Sequence, residues 1–233
     1  MSAPSANREL GASPPMFDSP LLNFFSRVHP AVPVIIFVPL IALLEAWALA
    51  HLTVGAGVGL AVLGYALWTL LEYWLHRVVF HFEPDRGLGA RLHWIIHGVH
   101  HEHPNDPLRL VMPPAVSLPL GSVFFALFYA LLGPRLGPGV AAGFLAGYLV
   151  YDMTHFYVHH GHPRSRVARL LRQRHMRHHF QDDTRGFGVS APYWDDVFGT
   201  APRSRRAAAG ARFDGAGRPA EHASRPVEPA SFR

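Results

Sequence analysis

The chain has no cysteine, no lysine and few charges of any kind. Without thiols, there can be no disulfides, thiolate zinc sites, iron–sulfur clusters or cysteine nucleophiles, so any bound metal must take nitrogen or oxygen ligands. Only 16% of the 233 residues are charged, against about 25% in ordinary soluble domains, while 49% are hydrophobic. The opening MSAPSANRELGASPP lacks the basic flank and short apolar core of a secretory signal, and nothing there looks cleaved.

Four stretches carry the apolar excess: Ala31 to Ala50, Val54 to Leu75, Ala115 to Leu132, and Gly139 to Tyr157. Each is close to the ~20 residues with which a helix crosses a bilayer core. Four membrane spans are therefore predicted, arranged as two helical hairpins that are each followed by a histidine-bearing segment.

All 21 basic residues are arginine, and their placement sets the orientation. Two precede the first span, four lie between the second and third, one (Arg135) lies between the third and fourth, and fourteen follow the fourth. The short turns at 51–53 and 133–138 then face away from the cytoplasm, and the termini and middle loop face it. The net charge of +5 sits beside membrane spans, where an anionic leaflet attracts it, so nucleic acid is not an expected partner. The expected fold class is an all-α integral membrane protein: four transmembrane helices with a cytoplasmic, helical, histidine-rich dimetal cap. It forms one domain over residues 21–200, between disordered tails at 1–20 and 201–233.

Against these shortages stands an excess of histidine, 17 residues in all. His76 and His81 lie five apart at the end of the second span, and His97, His100 and His101 follow in HGVHH. His155 and His159 lie four apart at the end of the fourth span, and His175, His178 and His179 follow in HMRHH. Residues three and four apart share a helical face, so each HxxHH unit can present three imidazoles to one point. A gap of five does not stay on one α-helical face, so His76 and His81 are expected to bracket a break into a loop. Ten ligands exceed what one ion accepts, since octahedral ions use six and zinc usually four; the count suggests two metals. His29, His51 and His222 stand alone and read as interface side chains. His93, His103, His160 and His162 lie near the clusters, and their roles stay open. Glu72 and Asp152 precede His76 and His155 by four and three residues, from where a carboxylate could orient an imidazole.

Other chemistries lack their residues. HEHPN at 101–105 begins like a zinc-protease helix, but Asn105 stands where the second histidine is needed. GVSAP at 188–192 lacks the final glycine of a nucleophile elbow. The glutamate plus ExxH pattern of carboxylate di-iron bundles is missing as well.

With HGVHHEHPNDPLRLVMPP at 97–114, RHMRHHFQDDTRGFGVS at 174–190 and WDDVFGT at 194–200, the chain resembles the membrane fatty acid hydroxylase and sterol desaturase superfamily from about Leu70 to Gly199, closest to its fatty acid 2-hydroxylase branch. The resemblance implies that His76, His81, His97, His100, His101, His155, His159, His175, His178 and His179 ligate two iron ions. Zinc could occupy the site in purified samples but has no redox change with which to activate oxygen. It further implies O2 as co-substrate, hydroxylation of a fatty acyl lipid at carbon 2, and no separate acid or base catalyst. An external electron-transfer protein is expected, because no haem domain precedes Ala31. Arginine-only basic usage and short length point to a bacterial inner membrane. Tyr73, Trp74, Phe80, Trp94 and Tyr157 are candidates for the substrate passage or for membrane anchoring. RLVMPP at 109–114 and GFGVSAPYWDDVFG at 186–199 are candidate caps over the metals. Two alternatives are a sterol or carotenoid hydroxylase or desaturase, and a histidine-rich metal transporter or storage protein.

Overall fold

A computed structural model describes residues 10–203, and among them every regular element is helical. The order is α1 (Pro20–Phe25), α2 (Ala31–His51), α3 (Val54–Trp74), α4 (Gly87–His93), α5 (Val99–Glu102), α6 (Pro114–His160), α7 (Arg166–Phe180) and α8 (Tyr193–Val197). Two π-helical turns, Leu75–Phe80 and Trp94–Gly98, continue α3 and α4. Side-chain oxygens open three of the helices: Ser19 accepts from the Leu22 N–H, Thr53 from that of Ala56, and Ser165 from that of Ala168.

Three elements are long and apolar enough to cross a membrane: Ala31–His51, Val54–Phe80 and Pro114–His160. The four predicted stretches thus fall in three helices, because the third and fourth lie in the 47 residues of α6. Drawn straight, α6 would span about 70 Å, more than twice the ~30 Å hydrocarbon core. It is not straight. Gly133 adopts φ 74°, ψ 175°, a left-handed backbone open to glycine, and the helix folds back there. Across the bend Phe124 and Phe144 pack with ring centroids 4.6 Å apart, and Phe128 and Phe144 at 5.2 Å.

The second arm of α6 is the centre of the bundle and is buried from Gly137 to Leu145 against α2 and α3. Trp68 meets Phe144 edge to face at 5.2 Å, and Phe37 meets Tyr148 at 4.9 Å. Glycine allows this approach: a Cβ on Gly64 would lie 2.0 Å from the Val140 carbonyl oxygen, and one on Gly143 would lie 1.8 Å from that of Ala61. Small residues letting backbones meet are how helices associate where lipid removes the hydrophobic drive. On the outside Ile35, Leu43, Val54, Val62 and Leu131 are all more than 60% exposed, an apolar surface suited to lipid and not to water.

The bundle has two unlike ends. At one, Trp47 Nε1 donates to the Pro134 carbonyl (3.2 Å) and Arg135 Nε to that of His51 (3.3 Å), so the turns at 51–53 and 133–135 lie together. The other end carries the π-helical turns, α4, α5, α7 and α8. Residues 10–20, expected in a disordered tail, are packed in their described part: the Asn105 N–H donates to the Leu10 carbonyl (3.0 Å), and Met16 is buried. Most of the expected C-terminal tail, 204–233, lies outside the described residues.

Gly143→Ala should destabilise the protein by about 2 kcal/mol or more, because neither backbone at that crossing can retreat. Gly55→Ala, where a Cβ meets nothing within 4 Å, should be neutral or slightly stabilising. Thermal unfolding of the two variants in detergent checks the contrast.

Candidate metal centre

The ten matched histidines converge at one end of the bundle, in two groups of five. His76, His81, His97, His101 and His178 form the first; His100, His155, His159, His175 and His179 form the second, and within each group the ligand atoms lie within 4.8 Å of one another. The other described histidines belong to neither. His93 stands 3.7 Å from Glu83, His51 stacks on Trp47, and His160 stacks on Phe156.

Local helix geometry explains the sorting. His76 and His81 do not bracket a loop. The chain stays helical but widens, with the His81 N–H donating to the His76 carbonyl in an i→i+5 bond of 3.2 Å. At 3.6 residues per turn, side chains five apart diverge; the π-helical turn returns them to one side. Each HxxHH unit, in turn, divides its imidazoles between groups instead of presenting three to one point. The i, i+4 pairs His97/His101 and His175/His179 keep together, while His100 joins the second group and His178 the first. Each box therefore ties the two groups together.

Many of the nitrogens within a group approach closely: His76 to His97 at 3.2 Å, His97 to His101 at 2.9 Å and His81 to His178 at 3.0 Å in the first. In the second, His100 stands 3.0 Å from both His155 and His179, and His175 stands 2.8 Å from His159 and 3.1 Å from His179. All are Nε2 atoms. At a metal–nitrogen bond of about 2.1 Å, ligands at right angles stand about 3.0 Å apart and tetrahedral ligands about 3.4 Å. The spacing suits ligands converging on one ion per group, and five donors exceed the four of tetrahedral zinc.

Protonation fits the same role. Burial, with repulsion from neighbouring imidazoles, pushes His81 down to about 3 and His101 to about 2, and holds His97, His100, His175 and His179 well below the usual histidine range. Burial pushes His178 down to about 4. These rings are neutral at neutral pH, the form that coordinates metal. Backbone carbonyls define the outer nitrogen of some rings. His76 Nδ1–H donates to the Phe187 carbonyl (2.7 Å) and His178 Nδ1–H to that of Arg185 (2.8 Å), leaving bare Nε2 lone pairs aimed inward. Such convergence is unfavourable without a cation, and all-nitrogen donor groups at this spacing fit metal.

Glu72 and Asp152 act one step further out than expected. Neither bonds an imidazole. Glu72 accepts from the Ser190 N–H (2.8 Å) and hydroxyl, and Asp152 from the Met112 N–H (3.2 Å) and the Tyr148 hydroxyl (3.0 Å). They fasten the two segments whose carbonyls hold rings, since Phe187 bonds His76 and Leu110 bonds His155. Asp195, missed in the sequence, is the third such carboxylate; it accepts from the Phe187 N–H (2.9 Å), the Gly188 N–H (3.0 Å) and the Thr200 hydroxyl (2.8 Å). Its signal was present in WDD but indistinguishable from a surface turn.

A cavity of about 470 Å³ reaches His97, His100 and His155. That is within the ~300–1,000 Å³ of small-molecule sites. Leu75, Val79, Ile95, Ile96 and Val116 form much of its apolar wall, the cap 109–113 contributes Arg109 to Pro113, and the N-terminal segment contributes Met16 and Phe17. Of the five aromatics considered for a passage, only Phe80 lines it. Tyr73 instead stacks on Phe198 at 4.8 Å, Trp94 donates to Glu102 (2.9 Å), and Trp74 and Tyr157 are about 40% exposed.

Residues 61–200 match the family model described as fatty acid hydroxylase, and the chain belongs to that family. It is 37% identical to dihydroceramide fatty acyl 2-hydroxylase FAH2 of Arabidopsis thaliana, over 84% of this chain and 83% of that protein. With FAH1 of the same plant, also a dihydroceramide fatty acyl 2-hydroxylase, identity is 37% over 64% of this chain and 62% of that protein, so the match spans less than two thirds of its length. A solved structure of full-length scs7p, with only the hydroxylase domain visible, is similar with a TM-score of 0.75 and 34% identity, over 78% of this chain and 71% of that one.

Asp195→Ala should free the Phe187 carbonyl that fixes His76. Metal affinity at the first group should fall about 10-fold or more, with the second group unchanged. Metal titration followed by mass spectrometry of bound stoichiometry reads both groups.

Proposed function

We propose that this chain is a membrane monooxygenase that hydroxylates a fatty acyl chain at carbon 2, with two iron ions held by the ten histidines, O2 as co-substrate and electrons from a separate protein. The reading rests on one juxtaposition: an apolar cavity of acyl-chain character ends on His97, His100 and His155, members of both five-imidazole groups. The relatives' stated activity, fatty acyl 2-hydroxylation, agrees with it.

The first group would hold one ion and the second the other. Bound iron supplies the oxygen activation and redox change that attack on an unactivated C–H bond requires and that side chains cannot provide. The protein's own residues position and shield. Val79, Ile96 and Val116 line the cavity and are roughly half exposed, an apolar wall that an acyl chain entering from the lipid would meet. The methylenes of an acyl chain would lie along this wall and exclude water from the histidine end. Asp152, although at the cavity wall, is held by the Met112 N–H and the Tyr148 hydroxyl and serves as a brace.

For topology, α2, α3 and the two arms of α6 serve as four spans of one domain over 21–200. The arginine distribution supports placing the histidine end in the cytoplasm, in a bacterial inner membrane. A transport path would need ligand groups along the membrane depth. Among the described residues, the two groups capable of holding a metal both lie at one end.

In a host expressing the chain, a 2-hydroxy acyl product should form aerobically, carry label from 18O2, and be absent without oxygen. His178→Ala and His179→Ala each remove a ligand from a different group and should lower product by about 100-fold or more with loss of metal. Full metal content and turnover in both variants would contradict the ligand assignment. Product formed without O2 would overturn the oxygenase reading.

A further inference from the structure

We infer that Arg109 anchors the oxygen-bearing head of the acyl substrate, and so sets which carbon is presented to the histidines. The assignment rests on the hydroxylase reading above and adds to it the residue that recognises the substrate's polar end.

Among the described residues and histidines aside, Arg109 is the one cationic side chain lining the cavity, and it is 3% exposed. Its guanidinium is poorly satisfied. Nη2 donates to the Pro14 carbonyl, while Nε and Nη1 are buried without an acceptor. The nearest carboxylate oxygen, Asp106 Oδ2, is 3.7 Å from Nε, too far for a hydrogen bond, and has no partner either. Buried donors left unmet are costly, and a guanidinium matches the planar oxygens of a carboxyl or amide group. Asp152, the carboxylate on the same wall, is already held by the Met112 N–H and the Tyr148 hydroxyl, so the ligand group suited to the guanidinium is the oxygenated end of a long-chain lipid.

Position supports the same role. Arg109 directly precedes Leu110, whose carbonyl bonds His155 of the second group, so the anchor and a candidate metal ligand are held by consecutive residues. Arg109 and the histidines line the same cavity, so one acyl chain with its head at Arg109 can also meet the histidine end. Charge adds a preference. A second arginine, Arg27, is held to the Ser13 carbonyl (2.7 Å) next to Pro14, whose carbonyl holds Arg109, and cationic surroundings favour a carboxylate head over a neutral amide.

The test is binding by the detergent-solubilised full chain, read by displacement of a fluorescent fatty acid with hexadecanoic acid, N-hexadecanoylethanolamine or hexadecane. Wild type should prefer the acid over the alkane by about 10- to 100-fold, the scale of a hydrogen bond to a charged group. Arg109→Met should abolish that preference while keeping alkane affinity and bound metal. Arg109→Gln serves, with the same criterion, where the methionine variant does not accumulate. Preference for the amide, lost in the variant, would keep the anchor and change the head group to an amide carbonyl. No head-group preference in wild type, or the same preference in the variants, would overturn the assignment. Product analysis separates the two readings. Lack of any hydroxy product in wild type with an intact head-group preference strikes the hydroxylase reading alone. An unshifted 2-hydroxy product and unchanged binding in Arg109→Met strike Arg109 alone.

Discussion

Ten imidazoles turned inward on one another are the constraint that the rest of this fold serves. Nε2 atoms 2.8–3.2 Å apart, with lone pairs facing, do not hold themselves together. A cation would supply the attraction, but the rings must be aimed before it arrives, and the aiming is done by backbone. Carbonyls of Arg185 and Phe187 fix His178 and His76, and that of Leu110 fixes His155. Those carbonyls are in turn held by buried carboxylates, whose acceptor oxygens meet main-chain N–H groups of the same segments.

The apolar bundle provides the fixed frame. Its two innermost helices, α3 and the second arm of α6, cross with backbones in contact at Gly64 and Gly143, so neither can slide or rotate freely against the other. Each emerges directly into ligands, α3 through the π-helical turn bearing His76, and α6 through His155 and His159. Sites carried on packed helices keep their geometry better than sites on loops. The remaining ligands lie on short helical pieces outside the spans, and there the bracing segments supply the rigidity that the bundle cannot.

Much of this was legible in the sequence because histidine spacing and apolar run length are local signals. All ten histidines gather at one end of the bundle, in two groups of five. What could not be read was local geometry that a regular α-helix does not produce. The π-helical turn at 75–80 reverses the inference from a five-residue gap, and the alternating assignment of His100 and His178 depends on how two helices face each other, which no single box encodes. The helix count was blurred for a related reason: hydrogen bonding runs across Gly133 even though the chain folds back there. The bracing carbonyls were invisible in principle, because every residue has one. The packed segment near Leu10 and Met16 looked like a tail because its few apolar residues show no periodicity.

The two bracing segments are not equivalent, and the difference separates structure from specificity. Segment 185–200 holds His76 and His178 but contributes nothing to the cavity wall. Its Phe187 ring packs on His76, His81 and His178, so its side chains serve the metal end and the core. Segment 109–113 does both: Leu110 holds His155 while Arg109 to Pro113 form part of the wall. A change in shape there reaches the ligand and the bound chain together. Relatives that act on other acyl lipids are therefore expected to differ around 109–113 and along Leu75, Val79 and Ile96, while the brace of Glu72, Ser190 and Asp195 stays constant with the metal geometry it supports.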